Sequence, residues 1–193
     1  NIVRLRVAIE NSGLAISNQN FRLEYAAKGA APTCESVNSG SFVSVPNQAS
    51  CGTSPVCMAT STQVANDSPT TDLLTSVYGD FSAGKIVSSP STESTSLSID
   101  QNYFTELEYV LSPTLNASDA YCFRVTNAGT PLDFYAKLAE LGLQFDPSLG
   151  TVELNGGSDI SLVAGTTTVV TVEAPVSDFN GYADIVHATA TIY

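Results

Sequence analysis

The chain has 193 residues, and its 19 acidic and 7 basic side chains give a net charge of −12, which repels phosphate backbones and anionic membrane surfaces. Charged residues make up only 13% of the chain and hydrophobic residues 43%, a composition that favours a globular, extracellular β protein. The sequence contains no run of 18 apolar residues. It therefore predicts no nucleic-acid partner and no membrane segment in this chain.

Alternation of apolar and polar residues, which is typical of a half-buried strand, begins at the start of the chain. It places four apolar residues on one face: Val3, Leu5, Val7 and Ile9. A second alternating run covers residues 21–25. We expect the two runs to form an antiparallel pair in which Arg6 faces Glu24.

The four cysteines are Cys34, Cys51, Cys57 and Cys122. An even number of cysteines in a Ser/Thr-rich, acidic chain predicts two disulfides formed in an oxidising compartment. We expect Cys34 to pair with Cys51, closing a short loop, and Cys57 to pair with Cys122, tying that loop to a distant strand. A zinc site is the alternative, but the irregular spacing and the remote His187 disfavour it.

The middle of the chain adds further candidate strands, which are short at residues 41–45, 86–87 and 97–99 and longer at residues 103–111 and 121–126. Residues 128–145 suit a helical turn or a strand, and the neighbouring β elements favour the strand. The predicted fold is therefore all-β, with an elaborated, disulfide-stapled antiparallel β-sandwich at residues 1–145.

A break near Asp146 and Pro147 is predicted to precede a partial immunoglobulin-like domain at residues 146–193. Within it, Asn155-Gly156 predicts a type I′ hairpin turn. Its last strand has one apolar face formed by Val186, Ala188, Ala190 and Ile192. About half of the ~7 strands of such a domain are missing, so we expect another strand or subunit to complete it.

Residue types that carry catalysis are sparse in this sequence. His187, the single histidine, falls on the polar face of a predicted strand, which disfavours a Ser-His-Asp triad. Glu106 and Glu108 lie two residues apart on one strand, so we expect them to face solvent together and not to act as an acid and a base. The sequence predicts no catalytic residue and no enzymatic activity.

Oxygen-bearing side chains surround Gly181, where Asp178, Asn180 and Asp184 form a candidate calcium site. The preferred interpretation of this run is a tight Asn-Gly hairpin in which Asp178 forms an Asx turn. No cofactor other than calcium is predicted. Sequons at Asn66 and Asn116 are candidate glycosylation sites.

Three motifs carry a resemblance to a known class of proteins: Asn20-Phe-Arg-Leu-Glu-Tyr-Ala26, Tyr121-Cys-Phe-Arg-Val125 followed by Asn127-Ala-Gly129, and Val176-Ser-Asp-Phe-Asn-Gly-Tyr-Ala-Asp-Ile185. In these motifs the chain resembles large repetitive cell-surface proteins of uncultivated, small-genome bacteria. The resemblance implies extracellular β modules, in which a disulfide-bearing domain precedes a bacterial immunoglobulin-like domain. It also implies a location at the cell surface.

Two functions are compatible with these features. The first is a structural subunit of an extracellular filament, pilus-like fibre or surface layer, in which a strand from one copy completes the next and forms a head-to-tail homopolymer. Residues 1–10 and 183–193 are the candidate exchanged strands. The alternative is an adhesin or stalk module of a larger surface protein, which binds a host glycan or surface protein through loops 34–57 and 178–184. Exposed aromatic residues would support it, and the candidates are Phe42, Tyr78 and Phe81.

Overall fold

The computed structural model describes residues 2–74, 79–114, 120–142 and 148–177. Within these ranges the regular elements are β-strands and four single-turn 3-10 helices, which confirms the predicted all-β class. The strands are, in chain order, β1 (Val3–Asn11), β2 (Ile16–Gln19), β3 (Phe21–Ala27), β4 (Val43–Ser44), β5 (Val56–Met58), β6 (Asp80–Ser82), β7 (Ile86–Val87), β8 (Leu97–Ile99), β9 (Tyr103–Pro113), β10 (Ala120–Asn127), β11 (Thr130–Pro131), β12 (Ala139–Gly142), β13 (Ser148–Leu149), β14 (Glu153–Leu154), β15 (Val172–Glu173) and β16 (Val176–Ser177).

The chain divides into two compact units, Asn1–Leu143 and Gln144–Tyr193. The boundary inferred from the sequence lies after residue 145. In the second unit, β13 pairs with β16 and β14 pairs with β15.

Asn155 and Gly156 have the positive φ angles, 52° and 60°, that a type I′ turn requires. The predicted tight hairpin is nevertheless wrong, because Gly157 continues with φ 75° and β14 finds its partner at β15.

The first sheet is organised around β9. On one side β1 pairs with β9 over nine residues, from Val3 opposite Leu111 to Asn11 opposite Tyr103. On the other side three short strands follow one another along β9: β6 and β7 run parallel to it and β5 antiparallel. The expected pairing of β1 with β3 is therefore wrong. The chain leaves β1 into β2, which pairs with β8, and β3 joins a different sheet.

The second sheet is organised around β10. β3 pairs with one side of β10 over seven residues, β12 and β11 pair with the other side, and β4 lies beyond β3. Glu24 therefore faces Arg124 and not Arg6. The strands predicted at residues 86–87 and 97–99 are confirmed, and residues 139–142 of the ambiguous 128–145 segment are a strand.

The core lies between the apolar faces of the two sheets. Leu107, Tyr109 and Leu111 of β9 are fully buried, as is Leu23 of β3. Residues of both sheets line one shared cavity. The outer face of each sheet also carries buried residues, because residues 59–74 contact the first sheet and residues 34–45 contact the second.

The disulfides join Cys34 to Cys122 and Cys51 to Cys57, with Cα atoms 5.3 and 5.7 Å apart, respectively. Two disulfides were predicted, but the predicted pairing is wrong. The β3–β10 ladder sets Cys122 opposite Ala26, and the 3-10 turn that begins at Cys34 packs against both residues. With all four cysteines oxidised, the zinc alternative is excluded.

Candidate functional site

Within the part of the chain that the structure describes, β1 lies at an edge of the first sheet. Among the described residues it pairs with β9 and with no second strand. Alternate backbone N–H and C=O groups of an edge strand point away from its sheet and can pair with another chain. β1 is nine residues long and contains no proline, so this edge is long and continuous.

The second sheet presents its own edge, β12, close to β1. In the part of the chain that the structure describes, β12 pairs with β10 alone. A mainly apolar cavity of about 60 Å³ lies between the two edges, and its walls are Val3, Leu5, Leu111, Phe123, Ala139, Glu140 and Leu141. Val3, Leu5 and Leu141 are only half-buried, so the interior between the sheets is partly open at this side.

The opposite face of β1 is charged and partly covered. Arg6 bridges two carboxylates of β9, with Nη1 2.7 Å from Glu106 Oε2 and Nη2 2.7 Å from Glu108 Oε2. Arg4 donates a further hydrogen bond from Nε to Glu108. The alternation of β1 and β9 in register brings these four side chains to one face of the sheet.

Glu106 is 0% exposed, and Glu108 is also buried. The loop of residues 59–74 covers Glu106, since the backbone N–H groups of Leu73 and Leu74 donate to its Oε1 at 3.0 and 2.6 Å. The expectation that Glu106 and Glu108 face solvent is therefore wrong. Alternation within a strand assigns residues to a face, but it does not show that an irregular loop covers that face.

The ion pairs shift the acidity of these groups. Burial alone raises the pKa of Glu106, but the hydrogen bonds from Arg6, Leu74 and Leu73 outweigh it, so the pKa lies below its usual value. The pKa of Glu108 is lowered in the same way, because hydrogen bonds from Arg4 and Arg6 outweigh burial. Both carboxylates are therefore ionised at neutral pH. With every oxygen engaged by a donor, this cluster stabilises the fold of β1 and β9 and does not form a reactive pair.

The second sheet has a comparable pair on its outer face. Arg124 Nη2 lies 2.7 Å from Glu24 Oε2, and both residues are buried. The guanidinium also donates from Nη1 to Ser39 Oγ at 2.7 Å and lies 4.4 Å from the centre of the Phe42 ring. This cation–π contact attaches loop 34–45 to the sheet.

The aromatic residues expected to be exposed for ligand binding are largely packed. Phe42 is buried under Arg124, and the ring of Phe81 packs 5.4 Å from that of Phe104. Tyr78 lies outside the described residues. Sequence reasoning instead missed Phe134, which is 80% exposed in the loop between β11 and β12. Its position after Pro131, in a segment without clear alternation, was the available signal.

The remaining predicted sites fall in different places. The calcium candidates Asp178, Asn180 and Asp184, the apolar face of residues 186–192 and the sequon at Asn116 lie outside the described residues. Asn66 is described, and its side-chain amide donates to Ser91 Oγ at 2.9 Å and accepts from the Ser88 N–H. The described residues contain no group of three or more His, Cys, Asp or Glu side chains arranged to hold a metal.

Within the described ranges, no helix has both the length and the apolar character that crossing a bilayer requires.

No known protein family matches the chain, and neither a curated protein nor a solved structure is detectably similar to it. The resemblance to repetitive bacterial surface proteins therefore stays a prediction. The function has to be inferred from the geometry of the β1 edge.

Proposed function

We propose that the protein is a structural subunit of an extracellular filament, pilus-like fibre or surface layer, assembled by β-strand complementation between copies. The observation that supports this function best is the edge of β1. It combines nine residues of backbone that pair with β9 alone among the described strands with a partly open apolar cavity beside β12. A strand added at this edge would pair with the backbone and cover the cavity at the same time.

The energetics favour such an addition. Each new backbone hydrogen bond contributes about 0.5–1.5 kcal/mol net, and burial of the half-exposed Val3, Leu5 and Leu141 adds about 25 cal/mol for each Å² of apolar surface. Four or five hydrogen bonds along β1, together with this burial, can offset the entropy lost when two copies associate. The backbone supplies most of the affinity, and the side chains supply the specificity.

The pairing of β1 within its own subunit supports a role different from the one expected from the sequence. Residues 1–10 were a candidate donated strand, but in this chain β1 already pairs with its own β9. Removing it would leave Glu106 and Glu108 buried without Arg6, which is costly for the fold. We therefore propose β1 as the accepting edge, and deletion of residues 1–10 is not a suitable test of assembly.

The cysteines support an extracellular location. Both pairs are oxidised, and disulfides persist in oxidising environments such as the cell surface. The low content of charged residues and the acidic balance are compatible with that environment.

Electron microscopy of the natively isolated protein, without reduction or heating, tests the proposal. We expect a periodic assembly for the wild-type protein and dispersed particles for Val3→Lys, which places a charge on the inward face of the edge strand. The matched control is Val43→Lys on β4, an edge of the second sheet, where Val43 is 52% exposed. Dispersed wild-type particles, or an assembly that persists unchanged in Val3→Lys, would contradict strand complementation at this edge.

A second candidate function is the adhesin or stalk module. The exposed ring of Phe134 favours it, because an accessible aromatic face can stack on a sugar or pack into a protein partner. Dispersed wild-type particles that bind a glycan or a protein through Phe134 would favour this alternative.

A further inference from the structure

We infer that the first unit, Asn1–Leu143, is a load-bearing element whose extension under tension is limited by the Cys34–Cys122 disulfide. The disulfide joins two distant points of the chain covalently, so tension along the chain follows this shorter path and leaves residues 35–121 unloaded. The inference goes beyond the proposed function, because it holds for any load carried along the chain, in a filament or in a stalk.

The disulfide separates the strands of the unit into those inside the covalent loop and those outside it. β4 to β9 lie between Cys34 and Cys122, and so does the second disulfide, Cys51–Cys57. β1, β2 and β3 precede the loop, and β11 and β12 follow it. The central strand of the first sheet, β9, is therefore inside the loop, whereas β1 is outside it. Tension can draw β1 away from β9, but it cannot extend β9 while the disulfide is intact.

The first and last strands of the unit have neighbouring ends, which determines how a load acts on them. Val3 at the start of β1 and Leu141 near the end of β12 line the same cavity. A load on these two ends therefore acts across the gap between the β1 and β12 edges and not along either strand. Under such a load each ladder opens from its end, beginning with Val3 opposite Leu111 and with Gly142 opposite Ala120. Each step breaks the hydrogen bonds of only one pair, so we expect β1 and β12 to open at low force.

Ion pairs resist this opening at defined points of the loaded path. β1 is held by Arg6, whose guanidinium lies 2.7 Å from carboxylate oxygens of both Glu106 and Glu108. β3 follows along the path and is held by Glu24, which pairs with the buried Arg124 of β10. Hydrogen bonds between charged groups are stronger than those between neutral groups. We therefore expect the load to be taken up in separate steps, in which β1 opens before β3.

The covalent loop also favours recovery when the load falls. The entropic cost of bringing two points of a flexible chain together grows with the length of chain between them. The disulfide keeps Cys34 and Cys122, 88 positions apart, together in the extended state, so this closure does not have to be repeated. A subunit that lengthens to a fixed limit and then recovers lowers the peak tension on its neighbours.

Single-molecule stretching of the whole chain, held by non-thiol tags at its two ends, tests the inference. Because residues 88 positions apart stay joined, the final extended length of the oxidised protein should be about 300 Å shorter than its length after a reductant is added. The second unit contributes equally to both lengths. Cys51→Ala with Cys57→Ala is the matched control. Under oxidising conditions its final length should equal that of the wild-type protein, because this link lies inside the unloaded loop.

Equal final lengths before and after reduction, or a greater final length of the oxidised control variant, would overturn the inference. Repeated stretching and relaxation gives a second readout. The oxidised protein should recover its first opening step in more cycles than the reduced protein, and equal recovery would overturn the role of the disulfide in recovery. None of these measurements depends on assembly, so dispersed particles in electron microscopy would contradict the proposed function and not this inference.

Discussion

The two sheets of the first unit each carry a loop on their outer face, but the two loops are attached by different chemistry. Residues 59–74 cover the first sheet and are attached through hydrogen bonds to the buried carboxylate of Glu106. Residues 34–45 cover the second sheet and are attached by the Cys34–Cys122 disulfide and the contact of Phe42 with Arg124. The first attachment depends on hydrogen bonds to a buried charge, and the second includes a covalent bond.

This difference determines the conditions to which each sheet is sensitive. A buried ion pair adds little net stability compared with an apolar replacement, but loss of one partner leaves a buried charge uncompensated. A disulfide acts mainly on the unfolded chain, whose entropy it reduces in proportion to the logarithm of the loop that it closes. The attachment of residues 59–74 should therefore respond to acid, and the attachment of residues 34–45 should respond to reduction.

The largest effect is expected from removing the disulfide of the second sheet. Cys34→Ala with Cys122→Ala opens a link between residues 88 positions apart, and we expect the free energy of unfolding to fall by about 4.6 kcal/mol. The matched control, Cys51→Ala with Cys57→Ala, opens a link of 6 positions and should cost about 2 kcal/mol. Urea unfolding followed by circular dichroism measures both, and equal losses would contradict the loop-length argument.

A somewhat smaller effect is expected on the first sheet. Glu106→Gln keeps the shape of the side chain but removes one of the two buried charges that compensate Arg6, and we expect the free energy of unfolding to fall by about 3 kcal/mol. Asp67→Asn is the control, because Asp67 pairs with Lys85 at the surface, where such pairs contribute about 0.2–1 kcal/mol. The same urea titration measures both variants. A similar loss of unfolding free energy in the two would contradict the argument that burial makes the Glu106 cluster more important than a surface ion pair.

The smallest change in stability is expected on mild acidification, and this change is the most specific to the first sheet. The pKa values of Glu106 and Glu108 are lower in the folded protein than their usual value of 4.5, so the folded state binds protons less readily than the unfolded chain. Their contribution to stability is complete above about pH 4.5 and is lost as the pH falls through the folded values. Thermal unfolding measured between pH 6 and pH 3 should show this decline, and Glu106→Gln should decline less. Equal slopes for the two proteins would contradict this assignment.

Much of the fold could be predicted from local patterns. Alternation located β1, β3, β9 and β10, and the short apolar runs at β7 and β8 were predicted at their observed bounds. The number and oxidised state of the disulfides followed from the even count of cysteines. These features depend on residues that are neighbours in the sequence, which is why the sequence alone predicts them.

The partners of these strands, charged side chains and cysteines, in contrast, could not be predicted from the sequence. Arg6 fits opposite Glu24 as well as opposite Glu108, since alternation assigns a face to each strand and leaves the neighbouring strand open. The pairing of Cys34 depends on the β3–β10 ladder, and the burial of Glu106 depends on a loop without periodicity. The edge position of β1 also could not be predicted. Whether a strand lies at an edge depends on its neighbours in the sheet, and the structure gives β1 one partner, β9, among the described strands.

The position of β9 at the centre of the first sheet has a consequence for how the protein is made. Arg6 and Glu108 are separated by 102 residues, so the first strand leaves the ribosome or an export channel long before its partner. Until β9 follows, β1 is an apolar, pairing-competent segment, and such segments in slowly folding β proteins are prone to premature association. A factor that binds the emerging chain, or low local concentration of nascent chains, would therefore protect the yield of the native protein at the stage of synthesis.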